Sequence, residues 1–559
     1  MYNRRRTELL RWGLGWLVGC VVASACGDVT PNEPVGAAGQ GDGARANGGG
    51  EGARAGTVTR SEGGQGGQVE HGDAAGEGGA QAANTGGASG GGGAGSGALG
   101  AGADAGQGGN GGAAGSVDGG AAGCASDDDA TTWSPPAVVV SDNGVAFVDT
   151  PKLSYLSEEL RVTVSGGGGG SWKATTDATW LSVTAQGGDG QPLRLTAEPK
   201  GLRVDVIHYA KVHVVSDGEA DGDVVRVGLW VGSSGPEDVV SLPVQGARVV
   251  TDPIRPYAYV QTAAAELSVY NVYTAELVTK HALPGAQLGE MAVSTDGSQL
   301  FVVDVATREV VRMGLDCGRK HERWALDGKY RFAPTIAYAR TGGMGLLLTT
   351  HGHLYRAADG QSLASDLEVS EQGFGTLAAS LVGNRYCWLE NGYSSATLNC
   401  HTLALDLETA GGIVVGPPVP GIAGLGNDVA SYPKDVALSP DGSRVYVAAG
   451  SPDFFFVLDG TPVEEGYLAT IDTLPGEAFP NNVHVSDQGL VIAASSAIYS
   501  PSDLWIYDGA GELVDEHKVS QYAEGIRARQ VQVSGDGQRL AVLSADPLLT
   551  FLSTRRSEP

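Results

Sequence analysis

The sequence predicts an all-β chain: a small Ig-like β-sandwich followed by a seven-bladed β-propeller, with a disordered Gly/Ala-rich linker ahead of both. Three observations predict it. The phrase "ALSPDGSRVYVAAG" at 437–450 returns as "AVSTDGSQLFVVD" from Ala292 and as "VQVSGDGQRLAVLS" from Val531. Short runs that alternate apolar and polar residues crowd 137–240. Between Gly36 and Gly123 roughly two thirds of the residues are Gly or Ala, too little apolar side chain to offset the entropy of ordering.

The N-terminus carries an address. "MYNRRRTELLRWGLGWLVGCVVASACGD" places Arg4, Arg5 and Arg6 before an apolar run from Trp12 to Val22, followed by small residues, the order of a bacterial export signal. The run is shorter than the roughly 20 apolar residues that span a bilayer, so cleavage or lipidation is expected rather than a stable span. "ASAC" ending at Cys26 resembles the lipobox of bacterial lipoproteins, with Ala23 where Leu is usual. "LVGC" ending at Cys20 fits by residue type but shortens the apolar run, and a plain secretory signal with incidental cysteines is the remaining reading. Arg5-Arg6 followed by Leu9-Leu10 faintly resembles a twin-arginine signal. Cys26 is the preferred lipidation site. The expected address is a bacterial cell envelope, with the chain lipid-anchored to a membrane and facing the periplasm or the exterior. The domains are set at 1–25 for the signal, 26–130 for the linker, 137–240 for the sandwich and 241–559 for the propeller.

A flexible spacer after an acylated cysteine makes a tether. The formal charge of −28 argues against nucleic acid, which needs clustered Lys and Arg. Beyond the signal region the chain has Cys124, Cys317, Cys387 and Cys400, an even number suited to an oxidising compartment. Cys387 and Cys400 flank "ENGYSS", so opposed strands can bring them within disulfide reach. Cys124 and Cys317 are either a second pair or free thiols.

In the sandwich segment, "SWKATTDATWLSVTAQGGDGQPLRLTAEPKGLRVDVIHYAKVHVVSD" resembles the BACON domain, an Ig-like module of bacterial surface proteins often found beside carbohydrate-active domains. Trp172, the run Trp180-Leu181-Ser182-Val183, a Gly-rich turn and a strand ending near Val215 carry the resemblance, while His208-Tyr209 departs from it. The resemblance implies an auxiliary module. Trp180 is expected in the core. Trp172 is either core or a face for sugar stacking.

In the repeats, each phrase is an apolar strand, an Asp-Gly turn and a second strand rich in β-branched and aromatic residues. Strand pairs start near Val249, Ala292, Ile336, Leu377, Val436, Val483 and Val531, at steps of 43, 44, 41, 59, 47 and 48 residues. A period in the forties with about four strands is that of propeller blades, and seven starts mean seven blades. Blade 1 has "TDPIRP" in place of the Asp-Gly turn, and the last blade stops after its third strand at 549–553, so "SLPVQG" from Ser241 is expected to add the missing outer strand. Asp296-Gly297, Asp441-Gly442 and Asp536-Gly537 resemble the turns of YVTN-type propellers, a bacterial branch of the WD40-like and lactonase-like group.

Residues just ahead of each inner strand converge on one mouth of a propeller channel: Glu290, Lys434, Asp435, Asn481, Asn482, Arg529 and Gln530. Mixed charges and amides around one concavity make a candidate site for a protein or glycan ligand, or simply solvate the mouth. The lactonase-like resemblance implies an enzyme site instead, with His484 as acid–base candidate, but no catalytic motif is present. His351 and His353, two apart on an expected strand, offer a metal pair without a third ligand. Asp127, Asp128 and Asp129 form a charge run in the linker that is expected to be solvated. No cofactor, catalytic residue or metal site is predicted.

Overall fold

The structure is a computed structural model. It describes residues 135–555 apart from 165–169, 219–221, 264, 317–320, 329–332, 365–374, 391–396, 407–411, 422–430, 452, 465, 477, 497–498 and 521–524. The signal region, Cys20, Cys26, the linker, Cys124, Asp127–Asp129 and Cys317 lie outside the described residues.

Period-2 alternation builds the sandwich. Along Ser157–Val164, Leu160, Val162 and Val164 are buried while Glu159, Arg161 and Thr163 face out. Val138–Val140, Ser157–Val164, Pro192–Ala197 and Leu181–Val183 pair in that order as one sheet. The other runs Ser154–Tyr155, Gly144–Asp149, Gly222–Val231, Val206–Ser216, Ser171–Thr176 and Gln186–Gly188, with Gly144–Asp149 and Gly222–Val231 parallel. The two inner faces share one core centred on Phe147, Trp172, Leu193, Leu195, Val212 and Val227.

Seven further sheets form the propeller. Their inner strands are Arg248–Thr251, Leu288–Val293, Ile336–Thr341, Thr376–Ala379, Ser431–Leu438, Pro480–Val485 and Ile526–Val533, for blades 1 to 7. Each predicted blade start falls within its inner strand. Blade 7 is completed by Val239–Leu242, paired antiparallel with Leu549–Ser553, so a strand from before the first blade closes the last and leaves no open edge at the ring junction.

The hydrophobic cores explain why the phrase repeats. Among the described residues each junction between neighbouring blades holds one apolar cluster. Phe301 and Val303 of blade 2 meet Leu347 and Tyr355 of blade 3, and Ile492 and Ile506 of blade 6 meet Leu540 and Val542 of blade 7. A blade cannot bury its faces alone, and each fully buried Leu, Ile or Phe is worth about 1.5–3 kcal/mol.

The repeated turn is solved the same way in blades 2, 5 and 7. Asp296, Asp441 and Asp536 each accept the hydroxyl of the Ser two residues before (2.6–2.7 Å) and the amide two residues after (2.9–3.0 Å). Only the glycines Gly297, Gly442 and Gly537 have positive φ, at 66°, 71° and 71°. The Asp therefore acts as a hydrogen-bond acceptor rather than as a second left-handed residue. In blade 1 Asp252 replaces this device, accepting the amides of Ile254 and Arg255 at 2.9 Å and pairing with the Arg255 guanidinium. Cys387 and Cys400 stand directly opposite on neighbouring strands of blade 4 and are joined by a disulfide.

The sandwich is not a separate bead. It forms one compact unit with the propeller, and it docks on the face where inner strands turn into second strands. Gly222–Val231 is buried on both faces for this reason. Its Gly228 lies so close to the Ile254 carbonyl of blade 1 that a Cβ would overlap the oxygen, and Gly144 stands in the same relation to Thr295 of blade 2. Val148 and Trp230 join the cluster shared by blades 7 and 1. Arg340 of blade 3 pairs with Asp223 at 2.5 Å and donates to the Val140 carbonyl at 3.1 Å, both side chains being about 7% exposed.

Candidate ligand-binding channel

The inner strands surround a channel of about 360 Å³, toward the small end of ligand-sized pockets. Its two mouths differ because all inner strands run the same way. At the strand ends stand the turns and the sandwich: Asp142 lines the channel together with Thr295, Asp487 and Gly535. At the strand starts stand Glu290, Thr335, Thr376, Asp435 and Arg529.

Backbone irregularity aims those side chains. The register between first and second strands shifts at Leu288/Met291 in blade 2, Pro433/Asp435 in blade 5, Pro480/Asn482 in blade 6 and Ile526/Val531 in blade 7. Such bulges re-aim a side chain, and all four occur at this mouth. Arg529 in addition holds a left-handed backbone, φ 61°. A non-glycine residue there is strained, and such strain collects at functional positions.

From this bulge the Arg529 guanidinium crosses the channel. It pairs with Glu290 of blade 2 at 2.6 Å and donates to Thr335 Oγ1 of blade 3 at 3.1 Å. Arg248 of blade 1 reaches the same Glu290 oxygen at 3.2 Å through Nε. Burial alone would raise the Glu290 carboxyl, but Arg529 and Arg248 outweigh it and hold it below its ordinary range. Asp435 is the opposite case. Burial pushes it up to about 7, against the pull of Arg529 and of the Val483 and Val436 amides.

The residue immediately before each blade start has a different task. Thr376 donates to Asp435 Oδ1 at 3.4 Å, and Asp435 Oδ2 accepts the Val483 amide at 3.1 Å. Asn482 Oδ1 accepts the Gln530 amide at 2.6 Å, and Gln530 Oε1 accepts the Val249 amide at 2.8 Å. Each side chain reaches the next blade, so blades 4, 5, 6, 7 and 1 are latched in sequence. Asn481 likewise donates to the Ile526 carbonyl at 2.7 Å. The amides of Asn481, Asn482 and Gln530 are thus buried and committed to hydrogen bonds within the ring, whereas Glu290, Asp435 and Arg529 line the channel and Lys434 is exposed on the inner strand of blade 5. Sequence reading missed Arg248, Thr335 and Thr376, although each directly precedes a recognised blade start.

Other candidates change place. Trp172 is 0% exposed and donates its indole N–H to the Gly188 carbonyl at 2.8 Å, so it offers no ring face to a sugar. Trp180 packs partly buried against the same core. His351 and His353 lie in the turn around Gly352 rather than on a strand, and no group of three metal-ligating side chains occurs among the described residues. His484 lines the channel, and burial pushes it down to about 4, so it is neutral at physiological pH.

Fold and channel together define a class, a propeller-type scaffold for binding or catalysis with a sandwich docked over one mouth. No protein-family model matches the chain, and no curated protein matches it. Among solved structures, the hydrazine synthase of Kuenenia stuttgartiensis is similar over 58% of this chain and 98% of that chain, at 12% identity and a TM-score of 0.42. A likeness of that size carries nothing about the site.

Proposed function

We propose that the chain is an exported bacterial lipoprotein, anchored through Cys26, whose propeller binds a protein or glycan ligand at the mouth formed by the inner-strand starts. One observation carries the reading. The sandwich covers one mouth, while backbone bulges in blades 2, 5 and 7, the last with the strained Arg529, carry charged side chains at the other. The basic, apolar and small-residue order of 1–26 and the Gly/Ala-rich stretch after it support an envelope tether. The BACON-like sandwich then acts as a fixed cap, and the YVTN-like blades as the binding ring.

The test is binding of the soluble chain 125–559 to bacterial and plant glycans and to envelope proteins, beside Arg529→Ala. Loss of binding in the variant with an unchanged melting temperature supports the reading. Binding that survives Arg529→Ala and Lys434→Ala contradicts it.

A second reading, a lactonase-like periplasmic enzyme, is favoured by Asp435 and His484 lining one channel with pKa values that have crossed, Asp435 raised to about 7 and His484 lowered to about 4. Replacing Glu290, His484 and Arg529 together abolishes turnover of a lactone or sugar acid if this reading holds.

A further inference from the structure

At the inner-strand starts the described residues carry more cations than carboxylates. Among them four cations, Arg248, Lys434, Arg527 and Arg529, stand against two carboxylates, Glu290 and Asp435. The chain as a whole carries −28. A local excess of cations in a strongly acidic protein concentrates anions at that place. Arg248 spends only Nε on Glu290, and its side chain is 31% exposed, so its terminal nitrogens are left to donate to a carboxylate.

The same face carries exposed aromatic rings. Phe454 opens the third strand of blade 5 opposite Ala449, at the level where its inner strand begins, and is 44% exposed. Phe479 directly precedes the inner strand of blade 6, holds a left-handed backbone at φ 64° and is 61% exposed. Its carbonyl accepts the Ser496 amide at 3.1 Å, and Tyr499, three residues further on in the same blade, is 95% exposed. Three large exposed rings on neighbouring blades 5 and 6 are unlike scattered surface apolar residues. Flat rings beside cations match one ligand chemistry well: sugar rings, whose apolar faces stack on aromatics, bearing carboxylates.

We propose, resting on the open mouth as the binding site, that it takes an acidic oligosaccharide, with a uronate carboxylate held by Arg248 and Arg529 and neighbouring sugar rings laid on Phe454, Phe479 and Tyr499. The full chain in detergent is titrated with oligomers of galacturonate, glucuronate, mannuronate and guluronate, each beside its carboxyl-reduced neutral counterpart. At least one acidic series is expected to bind roughly tenfold more tightly than its neutral partner, a difference that shrinks as salt rises. Arg248→Ala and Tyr499→Ala each weaken it roughly tenfold. Tyr499 is almost wholly exposed, so its variant folds whatever becomes of the Arg248 variant.

Equal binding of acidic and neutral oligomers overturns the inference, as does indifference to Tyr499→Ala. No binding of any uronate, with an envelope protein cross-linking to a photoreactive residue at position 434, also overturns it and leaves the mouth as a protein-binding site. No binding and no cross-linking overturns the inference and the mouth reading together.

Discussion

The two ends of the channel are built from opposite ends of the same seven strands, yet they have taken opposite roles. At the turn end, glycines, a buried ion pair and apolar side chains fit a second domain against the ring. At the start end, bulged strands and a left-handed arginine hold charge next to solvent. At the turn end the sandwich glycines approach the Thr295 carbonyl in the Ser-x-Asp-Gly turn of blade 2 and the Ile254 carbonyl in the differently built turn of blade 1. At the start end the register shifts in blades 2, 5, 6 and 7. One end serves docking and the other carries charge.

The largest expected effect breaks the docked end. Arg340→Met leaves Asp223 charged, buried and without its guanidinium, which costs about 3–5 kcal/mol. Adding Asp223→Leu recovers most of that, as read by denaturant unfolding. Trp172→Ala removes a fully buried ring from the sandwich core and costs about 3–5 kcal/mol, while ligand binding at the open mouth stays unchanged. A loss of glycan binding without loss of stability would instead restore Trp172 as a sugar platform.

Gly228→Val drives a side chain into the Ile254 carbonyl and costs about 1–3 kcal/mol by overpacking, with faster amide exchange confined to the joint. Uniform exchange across all blades would show that the docking surface lies elsewhere.

The smallest effect is on pH. Burial and then Asp487 raise the Asp142 carboxyl, while burial and then Glu158 raise Asp487 to about 6 from an ordinary 3.8. The folded protein thus holds protons that the unfolded chain releases near 3.8, so these groups favour folding at low pH and lose that contribution as pH rises through about 6. Solvent reaches Asp487, and screening keeps its share small. Asp142→Asn should match the parent below about pH 4 and exceed its stability by a margin that widens as pH rises from there, because the Asp142 carboxyl is raised well above 3.8. A difference that narrows with rising pH would reverse the assignment.

Much of the ring was legible in the sequence because its physics is local. Asp-Gly turns at 296, 441 and 536 mark hairpins by themselves, and the missing fourth strand of blade 7 was expected at 241–246, overlapping the observed Val239–Leu242 only at Ser241 and Leu242. The opposed cysteines at 387 and 400 needed only a hairpin between them. The docked joint was not legible. Gly144 and Gly228 read as ordinary strand glycines, and nothing near Arg340 names Asp223, which lies 117 residues away. The bulges were hidden for a related reason, since a bulge is a property of two paired strands. Hence Asn481, Asn482 and Gln530 looked like ligand groups but latch neighbouring blades, and Arg248 was overlooked although it stands where Asp435 stands in blade 5.

The central claim is that the sandwich covers one mouth while, among the described residues, nothing covers the other, and thiol labelling tests it most directly. Lys434→Cys at the start end and Thr295→Cys, whose native hydroxyl donates to Asn143 of the sandwich at 2.5 Å, are treated separately with a bulky maleimide. The account predicts fast reaction at 434 and protection at 295, with protection lost when Gly228→Val is added. Equal rates at the two positions in the undisturbed protein would contradict it.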